Sequence, residues 1–167
     1  MKKGKMPPEL SEAKNKAECK NFKLFDEENL LAIWRNNFKG LSWTDKDGNI
    51  LHGAVDNILI NKKNEKLIVL DYKTRGFPLK EDTAEHYQLQ LDVYNFLLKQ
   101  NDYETEDFAY LLFYVPKEVT ETGEVIFNTE LVKRKINIKN AEDIFNKAIK
   151  LLNEECPTKC CDWCEGR

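Results

Sequence analysis

The sequence predicts a mixed α/β domain, with a central mixed β-sheet flanked by helices and a cysteine tail at its C-terminal end. Three observations predict it. Helical and strand periodicities alternate in the order helix, three strands, helix, two strands, helix. Two apolar segments of strand length, residues 53–60 and 67–74, are joined by a wholly polar run, residues 61–66, as a hairpin requires. The chain has 167 residues, enough for one domain with its own core.

The elements follow in order. Residues 1–22 are polar and rich in lysine and read as a flexible N-terminal segment carrying Cys19. Residues 23–153 read as the folded domain, and residues 154–167 as a cysteine-rich metal-binding tail. Within the domain, residues 26–38 place Leu30, Ile33, Trp34 and Phe38 on one helical side. The segment Asp45-Lys46-Asp47-Gly48 lacks the acids at the first and last positions that a calcium loop needs, so it reads as a hairpin turn. A second helix is predicted from Asp82, with Glu85 at capping-box spacing, to about Lys99. It carries Tyr87, Leu91, Tyr94 and Leu98 at core spacing. Residues 109–115 form an apolar strand ending at Pro116, residues 124–138 alternate as a long strand, and Asn140 caps a last amphipathic helix.

Composition narrows the function classes. A net charge of -3 argues against a protein that coats nucleic acid by bulk electrostatics, but not against local grip on a phosphate chain. Lysines cluster at residues 2–5, 14–23 and 133–139, where a solvated face and a ligand contact are equally good readings. No apolar run approaches the roughly 20 residues of a membrane helix, and the basic N-terminus has no apolar stretch behind it. No membrane role and a cytoplasmic location are therefore expected.

The functional reading starts with the two apolar strands, each of which carries an aspartate. A hairpin symmetric about residues 61–66 pairs Ile60 with Leu67 and Ile58 with Val69, then Asp56 with Asp71 and Ala54 with Lys73. Period-two alternation puts Asp71 and Lys73 on one face. An unpaired buried charge is costly, so two carboxylates and a lysine aimed at one point suggest a divalent-metal site. Hard oxygen ligands from Asp56, Asp71 and the Tyr72 carbonyl suit Mg²⁺ or Mn²⁺. The competing reading is an ordinary Asp71–Lys73 ion pair with Asp56 capping a turn. On the following helix Gln90 and Tyr94 lie four residues apart on one face, with His86 four residues earlier.

Gly53 and Asp56, then Asp71-x-Lys73, then Gln90 and Tyr94, in this order and spacing, resemble the PD-(D/E)XK nuclease superfamily. The likeness is closest to its RecB-like exonuclease branch, which includes the CRISPR-adaptation nuclease and AddB-type nuclease domains. It covers residues 41–100 well. The resemblance implies a restriction-endonuclease-like core and Mg²⁺- or Mn²⁺-dependent cleavage of DNA, exonuclease more than endonuclease, in repair, recombination or defence. It implies Asp56, Asp71, Lys73, Gln90 and Tyr94 as catalytic residues, with Asp56, Asp71 and Tyr72 on the metal. DNA, as single strands or duplex ends, is the implied partner, with a helicase or another nuclease-complex subunit beside it. The second reading is a catalytically weak or inactive module that binds nucleic acid or a helicase partner on a nuclease fold.

The five cysteines are unevenly placed, with Cys19 alone and Cys156, Cys160, Cys161 and Cys164 crowded at the end. Such clustering in a cytosolic chain reads as a metal site before disulfides. Several RecB-like members hold a [4Fe-4S] cluster with one cysteine before the core and three after it, and the layout of Cys19, Cys156, Cys161 and Cys164 is similar, with Cys160 spare. Four thiolates could equally take Zn²⁺. The chain departs from the branch in having no histidine on a helix ahead of the Gly-x-x-Asp strand. Glu27, Glu28, His52 and His86 are the remaining candidates to join the site.

Overall fold

A computed structural model describes residues 6–155 and Cys161, leaving out the side chain of Ala13. Five strands form one mixed sheet in the order β1 (Phe22–Leu24), β4 (Asn57–Asn61), β5 (Leu67–Thr74), β6 (Phe108–Val119), β7 (Val125–Lys135). β5 and β6 run parallel; the other neighbours are antiparallel. β2 (Leu41–Thr44) and β3 (Ile50–Gly53) form a separate hairpin. Among the described residues five helices complete the fold: α1 (Pro8–Ser11), α2 (Ala13–Cys19), α3 (Glu28–Trp34), α4 (Gln88–Gln100) and α5 (Ile138–Leu152). Among the described residues no helix is long and apolar enough to cross a membrane.

The sheet is covered on both faces, and strand alternation divides its residues between two cores. Ile58, Val69, Leu111 and Phe113 pack against Leu91, Tyr94, Leu97 and Leu98 of α4. The opposite set, Leu59, Ile68, Leu70, Tyr110 and Leu112, packs with Leu10, Cys19 and Phe22. Because both faces are buried, β4 and β5 read as continuous apolar runs in which a charged residue stands out.

The register expected for β4–β5 is the one found: Ile60 faces Leu67 and Ile58 faces Val69. The strand expected over residues 53–60 is not continuous, however. The ladder stops at Asn57 opposite Leu70, so Asp56 and Ala54 are outside it. Residues 54–56 leave the sheet because the Val55 amide donates to the Trp34 carbonyl at the end of α3, while Gly53 pairs with Leu41 in the second hairpin.

Other boundaries move for local reasons. Residues 8–19, expected to be loose, form α1 and α2, with Leu10 and Cys19 buried. The first long helix is shorter than expected, ending at Trp34, and Phe38 lies in the loop beyond it. α4 begins at Gln88 after a single 3-10 turn, Glu85–Tyr87, and not at Asp82; Thr83 rather than Asp82 bonds the local backbone, its Oγ1 accepting from the Lys80 amide. β6 runs through Pro116 to Val119, because a register shift beside Pro116 accommodates it and β5 has already ended opposite Tyr114. α5 is capped by Asn137, whose side chain accepts from the Asn140 amide, so Asn140 is inside the helix. The Asp45–Gly48 turn is a hairpin turn as expected, with Asp45 Oδ1 accepting from the Asp47 and Asn49 amides.

Candidate active site

The site forms where β4 starts and β5 ends. Asp71 is the last deeply buried residue of β5, 1% exposed, and Lys73 follows on the same face. Lys73 Nζ lies 2.6 Å from Asp71 Oδ2 and donates to Gln90 Oε1 at 2.9 Å. Gln90 Nε2 in turn donates to the Tyr94 hydroxyl at 2.7 Å, so the four-residue spacing on α4 produces a linked pair. The Tyr87 ring sits 4.8 Å from Lys73 Nζ and adds a cation–π contact.

Asp56 reaches the site from the segment between the two sheets. Its Oδ2 accepts from the Tyr72 amide at 2.8 Å, which stands in for the ladder pairing that ends one residue away. The N–H and C=O of one strand residue point to the same side. The Tyr72 carbonyl therefore faces the same gap beyond the end of β4, beside the Asp56 carboxylate. Expected as a cross-strand pair, Asp56 and Asp71 are brought together instead by a side chain folding onto the neighbouring strand.

Two supports hold this arrangement. Arg35 Nε donates to the Asp56 carbonyl at 2.6 Å, tying the end of α3 to the loop. Gly53 lies against Tyr94, and a Cβ there would come within 2.8 Å of Tyr94 Cε1, so any larger residue would push the tyrosine off Gln90. Asn57, buried, donates through Nδ2 to the Tyr72 hydroxyl on the opposite face of the sheet.

The electrostatics of Asp71 are unbalanced. Burial raises its pKa, the Lys73 ammonium opposes this, and the Asp56 carboxylate raises it further. Asp71 Oδ2 is buried, and what meets it is the Lys73 ammonium, which is shared with Gln90 Oε1. Among the described residues no donor besides Lys73 meets Oδ2, so the ion pair leaves a lone-pair direction unused. A buried, donor-poor carboxylate oxygen next to a second carboxylate and a strand carbonyl fits a hard divalent cation. No cluster of three or more His, Cys, Asp or Glu side chains converges among the described residues. A cation here would rest on Asp56, Asp71, the Tyr72 carbonyl and water.

The remaining candidates are elsewhere. Glu27 and Glu28 are exposed at the start of α3. His52 is exposed on β3 opposite Ser42, because β3 belongs to the second hairpin. His86 is exposed in the 3-10 turn, 3.8 Å from Asp82, and not on the Gln90–Tyr94 face. Cys19 lies in the core beneath the sheet, 4% exposed, and burial pushes its thiol up to about 11. Metal ligation needs a thiolate, which these surroundings disfavour. Cys156 and Cys164 lie outside the described residues, and Cys161 is exposed. The four-cysteine cluster is not assembled among the described residues.

Sequence reasoning missed Arg35 and Asn57 and gave Tyr87 to the core. Asn57, a polar residue heading an apolar run, was a readable signal; Arg35 depends on a loop contact that no local pattern encodes.

A mixed sheet with Asp71-x-Lys73 at the end of β5, Asp56 beside it and Gln90 and Tyr94 on the covering helix α4 is a restriction-endonuclease-like fold. The profile of the PD-(D/E)XK nuclease superfamily matches residues 5–167, and the chain belongs to that superfamily. The fold implies a nucleic-acid substrate. No curated protein matches the chain.

Proposed function

We propose that the chain is a Mg²⁺- or Mn²⁺-dependent deoxyribonuclease of RecB-like type, an exonuclease acting in DNA repair, recombination or defence. One observation carries this reading: the buried Asp71 carboxylate, beside Asp56, whose Oδ2 meets no donor but a Lys73 that is itself held by Gln90 and Tyr94. An ordinary structural ion pair would have no need of a second carboxylate or of an amide holding the lysine.

When bound, the cation supplies Lewis-acid polarisation of a phosphate oxygen and lowers the pKa of a coordinated water. The chain's residues do the rest. Asp56 and Asp71, with the Tyr72 carbonyl, hold the cation and fix where the scissile phosphate sits. Lys73 places a positive charge where the pentavalent phosphate gathers negative charge, and its N–H groups can hold the attacking water in line. Gln90 restrains the ammonium and Tyr94 restrains Gln90, so little reorganisation is needed as the reaction proceeds.

End-labelled linear single-stranded and duplex DNA, incubated with Mn²⁺, tests the reading. Wild type should shorten the label progressively from an end and spare a closed circle. Cleavage no greater than that of Lys73→Ala would overturn it.

A further inference from the structure

Two exposed phenylalanines stand on the loops that border this site. Phe38 is 95% exposed and Phe77 is 76% exposed. The first loop, residues 35–40, lies on the β4 side, tied to the site by Arg35 on the Asp56 carbonyl. The second, residues 75–81, leaves β5 two residues after Lys73 on the β6 side, where the Arg75 amide donates to the Tyr114 carbonyl. The two loops that carry the rings thus leave the chain on either side of Asp56, Asp71 and Lys73.

Neither ring is a core residue that strayed. Asn36 Oδ1 accepts from the amides of both Phe38 and Lys39, and Gly40, at φ +57, closes the turn against the Gly53 carbonyl. On the second loop Leu79 packs into the core and Thr83 fastens Lys80, while Phe77, ahead of both anchors, stays outside. Both loops are built so that the ring faces solvent.

The charges point to the occupant. Residues 35–40 carry Arg35 and Lys39 and no acid, and residues 75–81 carry Arg75 and Lys80 on either side of Phe77 against Glu81 at the loop's end, in a chain of net charge -3. Among the described residues none of these four cations forms an ion pair, whereas Lys14, Lys23 and Lys133 are each paired with a carboxylate. A ring flanked by cations that no carboxylate neutralises is the chemistry that takes a stacked base with its phosphates. A duplex cannot use it, because each base face is already covered by its neighbour.

We infer that Phe38 and Phe77 are stacking platforms for bases on either side of the scissile phosphate, which makes single-stranded nucleic acid the substrate class. The inference rests on the nuclease reading of the site. The test is anisotropy of a labelled oligothymidylate with Ca²⁺ in place of Mn²⁺, run beside the Mn²⁺ cleavage assay. Wild type should bind the single strand in preference to a duplex. Phe38→Ala and Phe77→Ala should each weaken binding about tenfold, while Phe→Trp at either position keeps it. Unchanged melting of the alanine variants would exclude a folding effect. Binding by the double alanine variant at wild-type strength overturns the inference, and leaves the nuclease reading standing if cleavage still depends on Lys73. Absence of cleavage with ring-dependent binding overturns the nuclease reading alone.

Discussion

Asp71 on β5 and Asp92 on α4 are equally hidden, 1% and 0% exposed, and are furnished in opposite ways. Asp92 is fully satisfied by neutral donors. Its Oδ1 accepts from Gln88 Nε2 and the Asn137 amide, and its Oδ2 from Asn140 Nδ2, all at 2.8 Å. These bonds stitch α4 to the start of α5, and Gln88 extends them to Arg134 and the Lys135 carbonyl on β7. Asp71 has a cation at 2.6 Å from Oδ2, a carboxylate nearby and no other donor on that oxygen. A buried carboxylate with a full set of donors holds a fold together; one with an oxygen left open is free to hold something else.

The two aspartates should therefore respond oppositely to the same substitution. The largest effect is expected at Asp71→Asn, which should lower kcat at least about a thousandfold in the Mn²⁺ cleavage assay, as loss of the cation and of aligned electrostatics requires. Its melting temperature should stay level or rise, because burial and Asp56 already disfavour the charge there. Asp92→Asn should do the reverse. The amide would turn an N–H₂ toward donors, costing about 2 kcal/mol in denaturant unfolding, with turnover per folded molecule near wild type. Equal losses of stability in both variants would erase the distinction.

Gly53→Ala probes how the fold supports the site. The new Cβ would press within 2.8 Å of Tyr94 Cε1, so about 1–3 kcal/mol of stability should go together with activity. Tyr94→Phe keeps the ring and removes only the bond to Gln90; a fall of about tenfold in kcat with little change in melting would fit a positioning role. The smallest effect concerns Cys19. Its folded-state thiol ionises near 11 against an ordinary 9.0, so folding favours the protonated form. That contribution is whole below about pH 9 and is lost as pH rises toward 11. Denaturant midpoints should fall across this window in wild type and less in Cys19→Ala.

How much of this was legible in the sequence differs between the same two regions. The Asp71 side could be read because its signals are short-range. A polar turn fixed the β4–β5 register, alternation put Asp71 and Lys73 on one face, and four-residue spacing linked Gln90 to Tyr94. The Asp92 network could not be read, because its donors Asn137 and Asn140 lie 45 and 48 residues away and meet it only through tertiary packing. The break after Gly53 belongs to the same class. Alternation over residues 53–60 looks like one strand, and only the capture of Val55 by the end of α3 divides it.

The central claim is that the open oxygen of Asp71 marks a cation site. Titration calorimetry with Mn²⁺, on wild type, Asp71→Asn and Asp92→Asn, tests it directly and needs no substrate. Wild type and Asp92→Asn should bind Mn²⁺ alike, and Asp71→Asn should lose the binding. Equal Mn²⁺ binding by Asp71→Asn and wild type would contradict the account.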